Sequence, residues 1–326
     1  EKGKEILFAL IKKSDVILHN FRAGVVDRLG LDYESVRAIN PSIVYTVISG
    51  FGAKGPRSAD PAYDGAVQAA AGMMANNGTA ESGPLRTGYM PVDLMTGMTA
   101  AYATTAALLR KQKTGEGQMV DVAMLDCAIT LGSANFSRSE VDDIPDMLIG
   151  NQSITSAPTA SSFPTAEGSI LTAAIMPKHV EAFFDEIGLK EMLSDPKFAT
   201  REARIENKEI VREAMIEALK SDTAENWEKR LAPRGVPVAK INSVKETARL
   251  EQLQYRNILT AVPAAKGMET GYKLPGAPFT NSEDGPEVTR PAPVLGQHTL
   301  EILEEIGIEK SIISTLAAEG VICKDD

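Results

Sequence analysis

The sequence predicts an α/β fold in two parts, a large domain built on a mainly parallel sheet and a smaller α+β domain. In the first half of the chain, segments with apolar residues at helical spacing alternate with short β-branched runs, which is typical of helices packed on a parallel sheet. Beyond about Ser139 the chain becomes rich in acidic residues, prolines and serines, which indicates a linker and a new domain. A length of 326 residues and a hydrophobic content of 43% suffice for two cores.

The first elements of the large domain are two helix–strand pairs. Apolar residues at helical spacing near the N-terminus predict a helix, and the apolar run over 15–19 predicts a buried strand after it. A second helix is predicted over 33–39, because Asp32 is a favourable N-cap and Pro41 prevents continuation. It leads into a β-branched strand over 43–48, which is expected to lie parallel to the first strand.

Two loops follow these strands directly. One contains Asn20 and Phe21, and the other is the glycine-containing stretch over 49–52. Ligands of open parallel sheets collect at the carboxyl ends of the strands. Both loops are therefore predicted to form walls of a binding site.

Asp93 occupies a position that suits either structure or chemistry. It precedes a segment rich in Ala, Leu, Met and Thr over 94–113, which predicts a buried helix with a basic carboxyl end. One interpretation is that Asp93 is an N-cap, a position where Asp is favoured. The other is that the positive end of the helix lowers the pKa of Asp93 and holds its ionised carboxylate ready for a reaction. Asp64 is likewise predicted to cap a helix of small residues over 64–75.

The remaining segments suggest where the domains divide. The large domain is predicted to span 1–140, and its last strand lies over 119–125 after a glycine turn. The small domain is predicted over 146–262, where strands alternate with amphipathic helices. Residues 263–326 are predicted to form a return linker rich in Pro and Gly, followed by C-terminal helices of the large domain.

Composition excludes several classes of protein. The chain carries 44 acidic and 34 basic side chains, a net charge of -10, without blocks of like charge, so no nucleic-acid partner is expected. No apolar run is long enough for a membrane span and no signal-peptide pattern opens the sequence, so no membrane partner is expected. Cys127 and Cys323 lie far apart without metal-type spacing, which predicts a cytoplasmic protein without a metal site.

Familiar catalytic motifs are also missing from the sequence. His19, His179 and His298 stand near no Ser or Cys in the pattern of a nucleophile and its base, which argues against a Ser-His-Asp hydrolase. Neither the glycine fingerprint of a dinucleotide site nor a P-loop is present. Cys127, on an apolar helix, is predicted to be a small core residue rather than a thiolate.

Short motifs along the whole chain nevertheless form an informative ordered series. They are Asp15-Val16 through Asn20-Phe21 and Gly24, Asp27-Arg28-Leu29-Gly30, Asn40-Pro41, Ser49-Gly50-Phe51-Gly52, Tyr63-Asp64, Val92-Asp93 followed by Gly97, Thr114-Gly115-Glu116-Gly117-Gln118, and Leu295-Gly296-Gln297-His298-Thr299. Together they resemble the class III CoA-transferases, the family that includes formyl-CoA, carnitine-type and bile-acid-type transferases. Agreement across so many ordered motifs is not expected by chance.

The resemblance implies that Asp93 is the nucleophile of a CoA transfer. In that family the aspartate attacks an acyl-CoA thioester to form a mixed anhydride, and CoA thiolate then attacks the aspartyl carbonyl. A second carboxylic acid enters after the first acid leaves, and the steps run in reverse. Covalent catalysis of this kind conserves the free energy of the thioester.

Roles for five other residues are implied in the same way. Tyr63 and Asp64 match the pair that lies beside the nucleophile, although helix capping explains Asp64 equally well. Asn20, Phe21 and Arg28 match residues that contact coenzyme A, which takes part as the acyl-CoA substrate. No metal is implied.

The resemblance also carries expectations about architecture. It implies a Rossmann-like sheet in the large domain and an interlocked homodimer with its active site at the subunit interface. Relative to the family, the chain lacks an N-terminal segment of roughly seventy residues, the length of a strand–helix unit with extensions. That segment carries part of the CoA pocket in the family. A glycine-rich lid of some members has no counterpart over 154–163, so lid behaviour is not carried over.

Two other functions remain as alternatives. An α-methylacyl-CoA racemase shares the fold but uses His as its second acid–base group, where this chain has Tyr63. Because an unperturbed Tyr titrates near about 10 and His near about 6.5, Tyr63 is a poor proton acceptor at neutral pH and the transferase is favoured. A non-catalytic CoA-binding protein is the other alternative, and it predicts CoA binding without acyl exchange.

Overall fold

A computed structural model of the chain describes residues 1–323. The helices are α1 (Lys2–Lys13), α2 (Val25–Leu29), α3 (Tyr33–Ile39), α4 (Asp64–Ala70), α5 (Pro91–Thr114), α6 (Met124–Leu131), α7 (Ser133–Asp142), α8 (Pro177–Glu186), α9 (Pro196–Ala199), α10 (Arg201–Glu206), α11 (Lys208–Leu219), α12 (Ala224–Leu231), α13 (Val244–Thr247), α14 (Glu251–Tyr255), α15 (Thr299–Glu305) and α16 (Lys310–Ala318). Short 3-10 helices lie at Met73–Asn76, Lys190–Ser194 and Ala232–Arg234. No helix within residues 1–323 has both the length and the apolarity needed to span a bilayer.

The strands are short, and most of them belong to two sheets. They are β1 (Val16–His19), β2 (Val44–Ser49), β3 (Gly78–Thr79), β4 (Gly83–Pro84), β5 (Gln118–Ala123), β6 (Ser162–Pro164), β7 (Ser169–Thr172), β8 (Val238–Lys240), β9 (Leu259–Val262) and β10 (Tyr272–Pro275). β3 pairs with β4 and β9 with β10. The chain forms two compact units: the first comprises Glu1–Leu148, Pro263–Tyr272 and the segment from Thr289 onward, and the second Ile149–Val262 and Lys273–Val288.

A three-stranded parallel sheet in the order β1-β2-β5 forms the centre of the first unit. Val44 in β2 pairs with Val16 of β1 and with Gln118 of β5. Residues 44–47 of this central strand are buried, as expected for a strand covered on both faces. The prediction of a mainly parallel sheet with helices is confirmed.

Helices cover both faces of this sheet. On one face, Ile11 of α1 and Val36 of α3 pack with Tyr45 of β2. On the other face, Ala100 of α5 packs with Cys127 of α6. Cys127 is 4% exposed, so its prediction as a core residue is confirmed. The long helix α5 is thereby fixed against the sheet, with its N-terminus at the strands' carboxyl ends.

One predicted helix agrees with the structure, and one predicted linker does not. The helix over 33–39 is confirmed, and the carboxylate of Asp32 accepts the backbone N–H of Ser35 at 3.1 Å, as an N-cap does. The linker predicted to follow Ser139 is wrong over its first residues, because α7 runs on to Asp142. Polar residues there stay exposed on the helix surface and do not break it.

The turn between α5 and β5 requires a glycine at position 117. A Cβ on Gly117 would approach the Ile43 carbonyl oxygen to 1.9 Å, which no side chain tolerates. The Gly117 N–H donates to the carbonyl of Pro41 at 3.2 Å. This close approach aligns the start of β5 with the start of β2.

The second unit is built on the antiparallel sheet β6-β7-β8 with helices α8 to α12. Its core contains Phe163, Phe183, Phe184, Met215, Leu219 and Trp227. In the segment over 154–163, the Thr159 hydroxyl donates to the Ala174 carbonyl at 2.5 Å, and the Thr172 hydroxyl donates to the Thr159 carbonyl at 2.5 Å. These buried hydrogen bonds tie the segment to the sheet.

Candidate active site

Asp93 is the third residue of α5, which begins at Pro91. Met90 precedes the helix and offers no side-chain cap, and Pro91 has no N–H to donate. The free N–H groups of Val92 and Asp93 both donate to one oxygen of Asp64, Oδ2, at 2.9 and 3.1 Å. The interpretation of Asp93 as an N-cap is therefore wrong. The carboxylate that caps α5 is supplied by Asp64.

The Asp64 carboxylate is itself held by a hydrogen bond from Gln68. It is 5% exposed, and its other oxygen, Oδ1, accepts the Gln68 Nε2 at 2.5 Å. Asp64 lies in the first turn of α4 but bonds no backbone N–H of that helix. The prediction that it caps a helix over 64–75 is wrong on both points, since α4 ends at Ala70 and the carboxylate serves α5. A neighbouring helix start with two free donors competes successfully for the carboxylate.

The pKa of Asp93 differs in direction from the prediction. Partial burial of the carboxylate, and then the negative charge of Asp64, raise the pKa of Asp93 above its ordinary value of 3.8. The predicted lowering by the helix end is therefore wrong. The N–H groups of Val92 and Asp93 at that end donate to Asp64. The positive end of the helix therefore stabilises the charge of Asp64 and not that of Asp93.

The Asp93 side chain is exposed to a cavity of about 480 Å³. Asn20 and Phe21 after β1, Ser49 and Gly50 at the end of β2, and Met124 after β5 all line it. The carboxyl ends of the three parallel strands thus meet around one space, as the rule for open sheets predicts. The remaining lining residues are Arg22, Ala23, Ile48, Ser58, Asp60, Ala62, Tyr63, Asp93, Thr96 and Gly97.

The predicted site residues divide between this cavity and its surroundings. Asn20, Phe21 and Tyr63 share the cavity with Asp93, and the Tyr63 ring is 80% exposed. Asp64 is buried beneath the cavity surface and is not among the lining residues. Arg28, in α2, is exposed and is also absent from the lining.

A second cavity of about 300 Å³ adjoins the first and shares Phe21, Arg22, Ala23 and Ser49 with it. Its wall includes Lys54, an exposed cation. A ligand longer than one cavity can therefore extend over Phe21 from one space into the other.

His19 is a site residue that sequence reasoning missed. The hydroxyl of Tyr45 donates to the Leu31 carbonyl at 2.6 Å, so its oxygen accepts from His19 Nε2 at 3.1 Å. His19 Nδ1 then accepts the Phe21 N–H at 3.3 Å. The imidazole is thus neutral with a fixed tautomer, and it holds the loop after β1 in place. Only its position as the last residue of a predicted strand hinted at this role.

Acid is expected to destabilise the protein through His19. Burial lowers the pKa of His19 below its ordinary value of 6.5, despite the opposing charge of Asp27. A group whose pKa is lower in the folded state contributes stability above the unfolded value, and that stability is lost as the pH falls through the folded-state pKa. Protonation also places an N–H on Nδ1 against the Phe21 N–H. The free energy of unfolding of wild type, measured with denaturant, should therefore decrease as the pH is lowered from 6.5.

The control for this prediction is the change His19→Gln, which removes the titrating group. Its stability should decline less between neutral pH and the acidic range than that of wild type. The matching change His298→Gln is a second control, because it removes a histidine whose Nδ1 faces Glu301 at 3.3 Å and not the loop after β1. An acid sensitivity that survives His19→Gln undiminished would contradict the assignment.

Comparison with known proteins fits this geometry. The sequence profile of CoA-transferase family III matches residues 1–299. The chain belongs to CoA-transferase family III. As a family III member it is an acyl-CoA:carboxylate CoA-transferase, so acyl-CoA and a carboxylic acid are its classes of substrate.

Family III relatives resemble this chain over most of their length. A succinate–glutarate CoA-transferase from Agrobacterium fabrum is 30% identical over 313 residues, covering 94% of this chain and 76% of the relative. A formyl-CoA:oxalate CoA-transferase from Streptomyces coelicolor is 31% identical over 340 residues, covering 99% and 82%. The crystal structure of a CAIB/BAIF family protein from Brucella suis matches with a TM-score of 0.81 and 27% identity, over 94% of this chain and 79% of that chain.

The site offers no ligand set for a metal. Across residues 1–323, no group of three His, Cys, Asp or Glu side chains is arranged to hold a metal ion. Of the acidic side chains that line the cavity, Asp60 accepts from Arg57 at 2.8 Å.

Proposed function

We propose that Asp93 is the acyl-accepting nucleophile of this transferase. The observation that carries the proposal is the placement of its carboxylate: exposed in the cavity where three parallel strands end, on a helix start that Asp64 fixes by two hydrogen bonds. A rigid helix positions a reacting group more accurately than a loop does. Among the carboxylates of that cavity, Asp60 is paired with Arg57 and is less available.

The reaction follows as four displacements on carbonyl carbon. An oxygen of Asp93 attacks the acyl-CoA thioester, the carbon–sulfur bond breaks, and CoA leaves as thiolate. The thiolate then attacks the Asp93 carbonyl of the mixed anhydride and expels the first acid as a carboxylate. The second carboxylate attacks the aspartyl thioester and releases the thiolate again. The thiolate finally attacks the new acyl group and restores the Asp93 carboxylate, so no oxidant, reductant or water is consumed.

The donors for the oxyanions of these steps must come from outside the start of α5. The N–H groups of Val92 and Asp93 are already bonded to Asp64, so they do not serve as an oxyanion hole. The hydroxyl of Tyr63 is in the same cavity and is free to donate. We assign Tyr63 to this role, which also agrees with the absence of a histidine base for racemisation at that position.

Coenzyme A is proposed to lie along the loop after β1. Asn20 and Phe21 line the cavity of Asp93, and the Phe21 ring is 52% exposed and available to pack against the cofactor. Arg28 is exposed on the following helix and supplies positive charge for a phosphate at the far end. The acceptor is proposed to be a small carboxylic acid, because the relatives named above act on succinate, glutarate and oxalate.

A homodimer is proposed from the exposed face of α5. Leu94, Met98, Tyr102 and Leu109 are each more than half exposed along this helix. Apolar side chains in a row on a helix surface mark an interaction site. A second copy of the chain would bury them close to Asp93.

The cytoplasm is the proposed compartment of the protein. Its reducing conditions suit two unpaired cysteines.

Trapping of the acyl-enzyme tests the nucleophile. The protein is incubated with succinyl-CoA, formyl-CoA or acetyl-CoA in the presence of hydroxylamine, and its peptides are analysed by mass spectrometry. A hydroxamate on Asp93, and none on Asp60 in the same cavity, is the expected result. If a donor binds and no hydroxamate forms on Asp93, covalent transfer through Asp93 is wrong.

A further inference from the structure

Gln68 is a fully buried amide that none of the proposed steps uses. It is 1% exposed and lies one turn after Asp64 in α4. A buried amide is costly unless each of its polar atoms has a partner. Its Nε2 donates to Asp64 Oδ1 at 2.5 Å and to the Thr87 hydroxyl at 3.0 Å, and its Oε1 accepts the Thr87 N–H at 3.0 Å.

These contacts determine which way the amide points. The Thr87 N–H is a backbone donor, so it requires the oxygen of Gln68 on its side. The Thr87 hydroxyl spends its own hydrogen on the Tyr89 carbonyl at 2.9 Å and so accepts from Gln68. The nitrogen of Gln68 is thereby directed at Asp64, and a flipped amide would break both contacts with Thr87.

We propose that Gln68 is a positioning residue for CoA transfer, which orients the Asp64 carboxylate that fixes the helix start carrying the nucleophile Asp93. The proposal rests on Asp93 as the acyl acceptor. Three N–H groups converge on the Asp64 carboxylate, one from Gln68 and two from the start of α5. With donors on both oxygens, the carboxylate is held in one orientation.

An ionised Asp64 favours the covalent intermediates. Two neighbouring carboxylates repel each other, and Asp93 loses its charge when it becomes an anhydride or a thioester. Each acylation of Asp93 therefore relieves repulsion that the resting enzyme contains. Other charged or titratable groups nearby are Arg22, Asp60 and Tyr63 in the cavity, together with Arg86, which packs against Gly65 in the first turn of α4.

The choice of substitution matters because Gln68 and Thr87 also border a cavity of about 510 Å³ on the other side. A small residue at position 68 would open this space toward Asp64 and admit water, which replaces the lost donor. Gln68→Leu keeps the volume of the side chain and excludes water. Gln68→Glu keeps the shape and restores a donor only when the new carboxyl is protonated.

The test compares these variants by rate, KM and pH profile of acyl transfer. Gln68→Leu should lower kcat by about 10- to 100-fold, the effect of a slightly misplaced reacting group. Its KM for acyl-CoA should stay within about threefold, because the change does not reach the CoA loop.

Gln68→Glu supplies a readout that a structural defect would not produce. Its activity relative to Gln68→Leu should rise as the pH falls, because the protonated carboxyl donates to Asp64 Oδ1 as the amide does. Asn135→Leu is the matched control, since Asn135 lines the same 510 Å³ cavity and has no contact with Asp64. It should leave kcat and the pH profile of wild type unchanged.

The outcomes separate this inference from the proposed function. If wild type yields the Asp93 hydroxamate but Gln68→Leu keeps the rate of wild type, the positioning role is overturned. If Gln68→Leu does not fold, Gln68→Glu is compared with wild type, and an activity that shows no gain in acid relative to wild type overturns the positioning role equally. Failure of wild type to form the hydroxamate overturns the nucleophile itself.

Discussion

Asp93→Asn is expected to abolish CoA transfer, with a loss of about 10⁴-fold or more in kcat, as when a covalent nucleophile is removed. The carboxamide does not attack a thioester at a useful rate, so neither the anhydride nor the aspartyl thioester forms. Asn has nearly the same shape, and the backbone N–H of residue 93 still donates to Asp64. The measurement is formation of new acyl-CoA from a donor and a free acid, separated by chromatography.

Asp60→Asn is the matched control for this result. Asp60 lines the same cavity and is exposed, so its substitution removes the same charge from the same space. It breaks only a surface ion pair with Arg57, which is worth no more than about 1 kcal/mol, or about a fivefold effect. If Asp60→Asn abolishes transfer while Asp93→Asn retains it, the nucleophile has been assigned to the wrong carboxylate.

The pH profile of wild type provides a second measure of Asp93. Burial and the charge of Asp64 raise the pKa of Asp93 above 3.8, so activity should be lost in acid at a pH above that value. The effect on stability follows the same direction. A group whose pKa is raised in the folded state contributes stability at low pH, and that contribution is lost as the pH rises through the folded-state pKa. The free energy of unfolding of Asp93→Asn should lack this pH-dependent contribution.

The sequence could predict those features that depend on neighbours along the chain. The helix over 33–39 is marked by Asp32 before it and Pro41 after it, and both signals act within one turn. The meeting of Asn20 with Ser49 in one cavity follows from a general rule, because parallel strands bring their carboxyl ends to one edge. These inferences need no knowledge of side-chain packing.

The chemistry around Asp93 was beyond such reasoning because its partners are distant in sequence. Asp64 binds the N–H of Val92 across 28 positions, and Gln68 binds Thr87 across 19. No local pattern distinguishes an Asp that caps its own helix from one that caps another. The predicted direction of the Asp93 pKa shift was wrong because burial of the carboxylate, and then the charge of Asp64, raise the pKa, and both depend on tertiary packing.

Asp64→Ala is expected to destabilise the first unit by about 3 kcal/mol or more, because it leaves three buried or partly buried N–H donors without their charged acceptor. Pro91 has no N–H, and the N–H groups of Val92 and Asp93 have no acceptor within α5. Loss of the cap frees the first turn of α5, which carries Asp93. The free energy of unfolding in urea measures the effect.

Asp32→Ala is the control for an ordinary N-cap. Its carboxylate accepts the Ser35 N–H at the start of α3, and its removal should cost about 1 kcal/mol. If Asp64→Ala costs no more than Asp32→Ala, the buried carboxylate is not the link that joins α4 to α5.

Asp64→Asn separates the contribution of Oδ2, which accepts from α5, from that of Oδ1, which accepts from Gln68. Its amide oxygen accepts the N–H groups of Val92 and Asp93 as before. Its amide nitrogen then faces Gln68 Nε2, donor against donor, and Gln68 does not turn because Thr87 fixes its oxygen. The expected loss of stability is therefore smaller than for Asp64→Ala, about 1 to 2 kcal/mol. The double change Asp64→Asn with Gln68→Glu reverses the donor and acceptor roles, so it should recover part of that loss. A double variant that is less stable than Asp64→Asn alone would show that the hydrogen bond between positions 64 and 68 does not hold the side chain of residue 64 in place for α5.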